Sequence, residues 1–138
     1  MRWRDCLGML LCILLQATIL PERGQAEGRW SGEFVDNGLE NLGGSFPSGR
    51  AMAWYDGCLF VGGVFDRAGE QVTNGIATWN GTLWSALGSG VWDVGGDEAG
   101  SVLALLEHDG QLFVGGSFDL AGGVPAQNFA KWYPPDHW

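Results

Sequence analysis

One stretch of this chain occurs twice. Asp56-Gly57-Cys58-Leu59-Phe60-Val61-Gly62-Gly63-Val64-Phe65-Asp66 returns as Asp109-Gly110-Gln111-Leu112-Phe113-Val114-Gly115-Gly116-Ser117-Phe118-Asp119, an ungapped offset of 53 residues. Ala68-Gly69 returns as Ala121-Gly122, and Ala77 and Trp79 return as Ala130 and Trp132. Between Ala51–Trp79 and Ala104–Trp132, 14 of 29 positions are identical. A fixed period of this length marks an array of supersecondary units, each burying its apolar face on the next.

The period inside each unit is that of strands. Ala51–Tyr55 and Cys58–Phe65 flank Asp56-Gly57, a two-residue hairpin signal whose glycine accepts positive φ. Ile76–Trp79 and Thr82–Leu87 flank Asn80-Gly81, which predicts the same device. A longer polar loop, Asp66 to Gly75, joins the two hairpins. One unit is therefore a four-stranded antiparallel meander, with strands A to D. Four strands in about 50 residues is the size of a propeller blade. Gly62-Gly63 inside strand B fits this, because glycine in a strand interior signals close approach by another backbone.

The pattern Leu-Phe-Val-Gly-Gly-x-Phe-Asp-x-Ala-Gly, then Ile-Ala-x-Trp-Asn-Gly-x-x-Trp-x-x-Leu-Gly-Ser-Gly, resembles repeats of large secreted bacterial surface proteins. It is also similar to repeats in the ectodomains of fungal cortical-marker proteins, and both look like propellers of the galactose-oxidase and kelch kind. The resemblance runs from about Trp30 to Trp138. It implies an all-β, propeller-type fold and says little of chemistry, since such repeats are scaffold. The copper and cross-linked tyrosine of the oxidase have no counterpart, for the chain has only Tyr55 and Tyr133 as tyrosines and His108 and His137 as histidines.

The strands sum to two blades. Trp30-Ser31 matches Trp84-Ser85, so Arg29–Val35 reads as a strand D. Residues 27–50 are then the N-terminal strand of an incomplete blade plus a linker. Residues 51–100 are the first blade with its inter-blade linker. Residues 101–138 are a second blade lacking its fourth strand, with strands at Val102–His108, Gln111–Phe118 and Asn128–Tyr133. Closed propellers use roughly four to eight blades. Three arrangements satisfy this count: copies that close a homo-oligomeric ring by donating the N-terminal strand, a piece of a longer propeller, or an open pair of sheets.

Residues 1–26 read as an export signal. Arg2 and Arg4 precede an uncharged apolar run from Cys6 to Leu20, and Gly24-Gln25-Ala26 supplies the small residues of a cleavage site. The run is shorter than the roughly 20 residues that span a bilayer. The expected location is therefore extracellular, with no membrane attachment after cleavage. Seven basic against 16 acidic residues give a net charge of −9, which excludes a nucleic-acid partner held by counterion release. Cys58 alone remains after cleavage and reads as a small apolar residue in a strand.

Chemistry is sparse. The long loops, Asp66–Gly75, Asp119–Gln127 and Gly88–Gly100, gather at one end of the blades, and binding residues favour long loops on a rigid scaffold. There Trp92, Asp93, Asp97 and Glu98 join Asp66 and Glu70 as candidate ligand-binding residues. Such carboxylates suit Ca²⁺, but no EF-hand or nonapeptide spacing is present, so a solvated acidic face with no cofactor and no metal is the reading taken. Asp66 and Asp119 are expected to cap the turn after strand B. Trp79, Trp84 and Trp132 recur with the repeat and are assigned to packing. Trp92 and Trp54 have no counterpart, position 54 corresponding to Glu107, and an unpaired tryptophan beside acids can stack on a sugar ring. His108 ends a strand and His137 lies in the tail. Neither stands at a spacing that makes a catalytic pair, so no catalytic residue is assigned. The expectation is a secreted, non-catalytic structural or adhesive module with a protein or carbohydrate ligand at the cell surface. A lectin-like oligomer and an accessory piece of a larger secreted enzyme are the alternatives.

Overall fold

The computed structural model describes residue 34 and residues 38–44, 46–93 and 99–133. The expected export signal and nearly all of the expected strand Arg29–Val35 lie outside them. Thirteen strands follow in order: β1 (Leu39–Glu40), β2 (Ser48–Tyr55), β3 (Cys58–Val64), β4 (Arg67–Ala68), β5 (Gln71–Val72), β6 (Ile76–Trp79), β7 (Trp84–Ala86), β8 (Val91–Trp92), β9 (Ser101–His108), β10 (Gln111–Ser117), β11 (Leu120–Ala121), β12 (Val124–Pro125) and β13 (Phe129–Trp132). The architecture is all-β, and each strand pair is antiparallel.

Sheet I is the meander β2-β3-β6-β7, and sheet II is β9-β10-β13. Both long hairpins turn where the sequence places them. Asp56 and Gly57 have φ of 47° and 77°, and Asp109 and Gly110 have 51° and 70°. Two successive left-handed residues match the right-handed twist of the flanking strands.

Asn80-Gly81 departs from the expected two-residue turn. Trp79 pairs with Trp84, so Asn80–Leu83 is a four-residue loop and strand D starts later than Thr82. Asn80 Oδ1 accepts the backbone N–H groups of Thr82 at 2.9 Å and Leu83 at 2.8 Å. This side chain satisfies both donors locally, and only Gly81, at φ 98°, is left-handed.

The loops after β3 and β10 are also more ordered than expected. Each folds into a miniature hairpin, β4-β5 and β11-β12, to which β1 and β8 add a third strand. Their hydrogen bonds repeat at the 53-residue offset. Thr73 N–H donates to the Asp66 carbonyl as Ala126 does to Asp119, both at 2.8 Å. Gly75 N–H reaches the Phe65 carbonyl at 2.7 Å, and Asn128 reaches that of Phe118 at 2.6 Å. Gly75 and Asn128 are both left-handed, so asparagine takes over here a conformation that glycine holds in the first unit.

The two sheets stack through unlike faces. On β3 the side chains of Cys58 and Phe60, with Gly62, line one face, here the front, and Leu59 and Val61, with Gly63, line the back. By register the front of sheet I includes Tyr55, Phe60 and Ile76. The same alternation puts Phe113 and Gly115 on the front of sheet II and Leu112, Val114, Ala130 and Trp132 on its back. The main core joins the front of I to the back of II: Tyr55, Phe60 and Ile76 are buried together with Val102, Leu112, Val114 and Trp132. Each such side chain contributes roughly 1.5–3 kcal/mol by leaving water. A smaller core, Val61, Phe65, Ala68 and Ala77, lies behind sheet I, with Leu39, Leu59 and Trp84 against it.

The glycine pair of each repeat has two separate reasons. A Cβ on Gly63 would overlap the carbonyl of Ser48, and one on Gly116 that of Ser101, where a bulge interrupts each A–B pair. A Cβ on Gly62 would overlap the side chain of Val102 from the next sheet. Close approach is thus by the partner strand's backbone at one glycine and by a neighbouring side chain at the other.

Candidate functional site

At the long-loop end Asp66 and Glu70 flank the strands of the small sheet β1-β4-β5, whereas Asp93 follows β8 of the other small sheet. Asp66 directly follows β3, and its Oδ2 accepts the Leu42 N–H at 2.8 Å. Its carbonyl accepts Thr73 and Asn74, so it ties down the turn with backbone and side chain together. Glu70 sits at the tip between β4 and β5, where its carbonyl accepts Arg67 Nη2 at 3.2 Å. Trp92 belongs to β8, paired with β11, and its indole N–H donates to the Ser89 carbonyl at 2.8 Å. Asp93 follows it, while Asp97 and Glu98 lie outside the described residues. Among the described residues no three His, Cys, Asp or Glu side chains come together as a metal site would require.

Asn74 joins the two small sheets. Its carbonyl accepts Val91 N–H at 2.9 Å and its Nδ2 donates to Ser89 O at 2.9 Å. The polar groups at this end are largely engaged in holding the loops to one another.

A cleft opens at the opposite, tight-turn end, between the two sheets. It measures about 360 Å³ and is lined by Trp54, Tyr55, Asp56, Glu107 and Gly110. Tyr55 Oη donates to the Gly110 carbonyl at 2.9 Å, tying the end of β2 to the hairpin of sheet II. Glu107 Oε1 accepts the Gly110 N–H at 2.9 Å and so holds the same turn from the other side. Burial, then the charges of Asp56 and Glu107, raise the Tyr55 phenol above its ordinary value of 10.0. The phenol therefore stays neutral and acts as a donor. The cleft offers an aromatic surface and two carboxylates, a set that accepts hydroxyl hydrogens or a small cation. It holds no nucleophile beside a base.

Trp54 and Glu107 are the same position in the two repeats. Their difference is visible in the sequence, and the structure shows that the stacking of the sheets brings both to one cleft. A smaller space of about 100 Å³ lies between the β4–β5 tip (Glu70, Gln71) and Trp79, Thr82, Leu83 and Trp84. Trp79 and Trp84 stand 5.2 Å apart, and the ring of Phe34 lies 5.2 Å from Trp79 and 5.9 Å from Trp84. Trp132 is buried as its repeat assignment implies, whereas Trp79 and Trp84 are half-buried. His108 is at the surface, 3.4 Å from Asp109.

Comparison with protein-family models, curated proteins and solved structures finds nothing that matches this chain. Functional inference therefore rests on the repeat, the stacking and these clefts.

Proposed function

We propose that this chain is a propeller-type repeat module that works outside the cell as a structural or binding scaffold, without catalysis of its own. The observation that carries this reading is the stacking of two sheets related by a 53-residue repeat, front of one on back of the next. A unit whose two faces fit each other in succession builds an array, and arrays present surfaces rather than a single reactive pocket. The leader-like segment 1–26 supports the extracellular assignment. The test is expression of the full chain in a secreting host, with mass spectrometry of the medium. A soluble chain beginning at Glu27 is expected, and a chain retained uncleaved in the cytosol would overturn the location.

The cleft favours one more specific version, a lectin-like binder. Tyr55 supplies an aromatic ring on the front of sheet I, and Asp56 and Glu107 supply acceptors at the rim, the combination that recognises a sugar's apolar face and hydroxyls. Titration of the full chain with mono- and oligosaccharides, read by tryptophan fluorescence, tests this. Saturable quenching that disappears in Glu107→Ala and survives in Trp92→Ala supports the cleft. Quenching lost only in Trp92→Ala would move the site to the loop end.

A further inference from the structure

The stacking leaves the front of sheet II uncovered, and on the back of sheet I, where Val61 and Ala77 are buried in the smaller core, it leaves the β2 edge at the surface. On the first, Leu106 and Phe129 are 61% and 62% exposed, and Phe113 stacks on Phe129 at 6.0 Å. On the second, Met52 and Trp54 are 69% and 58% exposed. Large apolar side chains grouped on two faces mark contact surfaces rather than scattered surface residues.

We infer that a second copy of this chain docks on the front of sheet II with the back of its own sheet I. The inference rests on the propeller-type reading above. The chain already contains the template, because the front of sheet I holds the back of sheet II across its main core. Shifting that contact by one repeat brings the front of sheet II against the back of a sheet I.

The glycines carry the argument further. Val102 and Leu105 of sheet II fill the space above Gly62, where no Cβ fits. At Gly115, the same position one repeat on, a Cβ would meet, among the described residues, only Ala104 Cβ, at 3.9 Å. The space kept clear by glycine in both repeats is filled in one and open in the other. Counting back one repeat, the counterpart of Val102 is Gly49 and that of Leu105 is Met52. The exposed Met52 of the second copy is therefore the side chain that reaches Gly115.

Phe34, which precedes β1, packs its ring 5.2 Å from that of Trp79, the counterpart of Trp132, on the back of sheet I. Because the docking contact joins unlike faces, each copy offers one of each, and the assembly grows until it closes into a ring.

Light scattering after size exclusion of the full chain, over a range of concentrations, tests this. The wild type is expected to elute with the mass of three or more copies. Gly115→Val, whose side chain the isolated chain can hold, and Met52→Glu are each expected to reduce the mass to smaller species, with circular dichroism and the unfolding midpoint unchanged. An equimolar mixture of the two variants is expected to give a two-copy complex, since each contributes its intact face and blocks further growth. A wild type of one copy throughout, a mass that neither substitution lowers, or a mixture that stays at one copy would overturn the docking. The propeller-type reading would survive any of these results if Gly62→Val still destabilises the fold where Gly115→Val does not, so the two failures are separable.

Discussion

The side chain of Val102 occupies the volume that a Cβ on Gly62 would need. These two residues lie on different repeats, and their contact fixes how closely sheet II can approach sheet I. The equivalent glycine in the second repeat, Gly115, has no such neighbour among the described residues.

Gly62→Val is therefore expected to cost stability, and Gly115→Val to be nearly neutral. Forcing an extra side chain into a packed site costs about 1–3 kcal/mol. At Gly115 a valine fits an extended strand with room above it. Urea unfolding of both variants under dilute conditions checks the difference, and equal losses would remove the distinction between the two sites.

Tyr55→Phe removes the hydrogen bond to Gly110, at a cost of about 1 kcal/mol near neutral pH. The phenol also sets an alkaline limit. Its folded-state value lies above 10.0, so its stabilising effect is complete below the unfolded value and disappears as pH rises through the folded one. The wild type should lose stability above about pH 10 more steeply than Tyr55→Phe does. Thermal midpoints between neutral pH and pH 11 measure this, and parallel curves would contradict it.

Thr73→Val is expected to leave stability unchanged or raise it by about 1 kcal/mol. Thr73 Oγ1 is buried without a hydrogen-bond partner. Its counterpart in the second repeat is Ala126, so the site already tolerates an apolar side chain. A loss of more than about 1 kcal/mol in chemical denaturation would show that the hydroxyl is satisfied after all.

Asn80→Ala is expected to destabilise by about 1 kcal/mol, because Thr82 and Leu83 lose the acceptor that orders their loop. Asn80→Gly should be no better. Were Asn80-Gly81 a two-residue turn with both residues left-handed, glycine at position 80 would be well tolerated. Comparing the two variants by thermal unfolding separates the geometries.

The long hairpins were legible because Asp-Gly pairs between alternating apolar residues specify both the turn and the register. Asn80-Gly81 carried a similar signal with a different outcome, since the asparagine side chain can satisfy backbone donors without positive φ at Asn80. The short strands β1 and β8 could not be read from periodicity. Two residues contain no period, and their existence depends on pairing with β4 and β11, which lie far along the chain. The all-β class and the unit of repetition followed from residue spacing, while the use of front and back faces depended on which sheet lies beside which. The candidate site shows the same division. That Trp54 and Glu107 break the repeat was visible in the sequence, but the cleft between them exists only because the sheets stack. Asp66 and Glu70 looked like one acidic face with Trp92 and Asp93 until the folding of the loops put them at two small sheets.

The most direct test of unlike-face stacking is a measurement of nuclear Overhauser effects at Gly62 in isotope-labelled full chain. Cross-peaks from the Gly62 Hα protons to the methyl groups of Val102 are predicted, and they should persist when Gly115→Val is introduced. Their absence, or contacts from Gly62 to the Phe113 and Phe129 rings instead, would mean that the front of sheet I meets a different face, and the account of the repeat would fail.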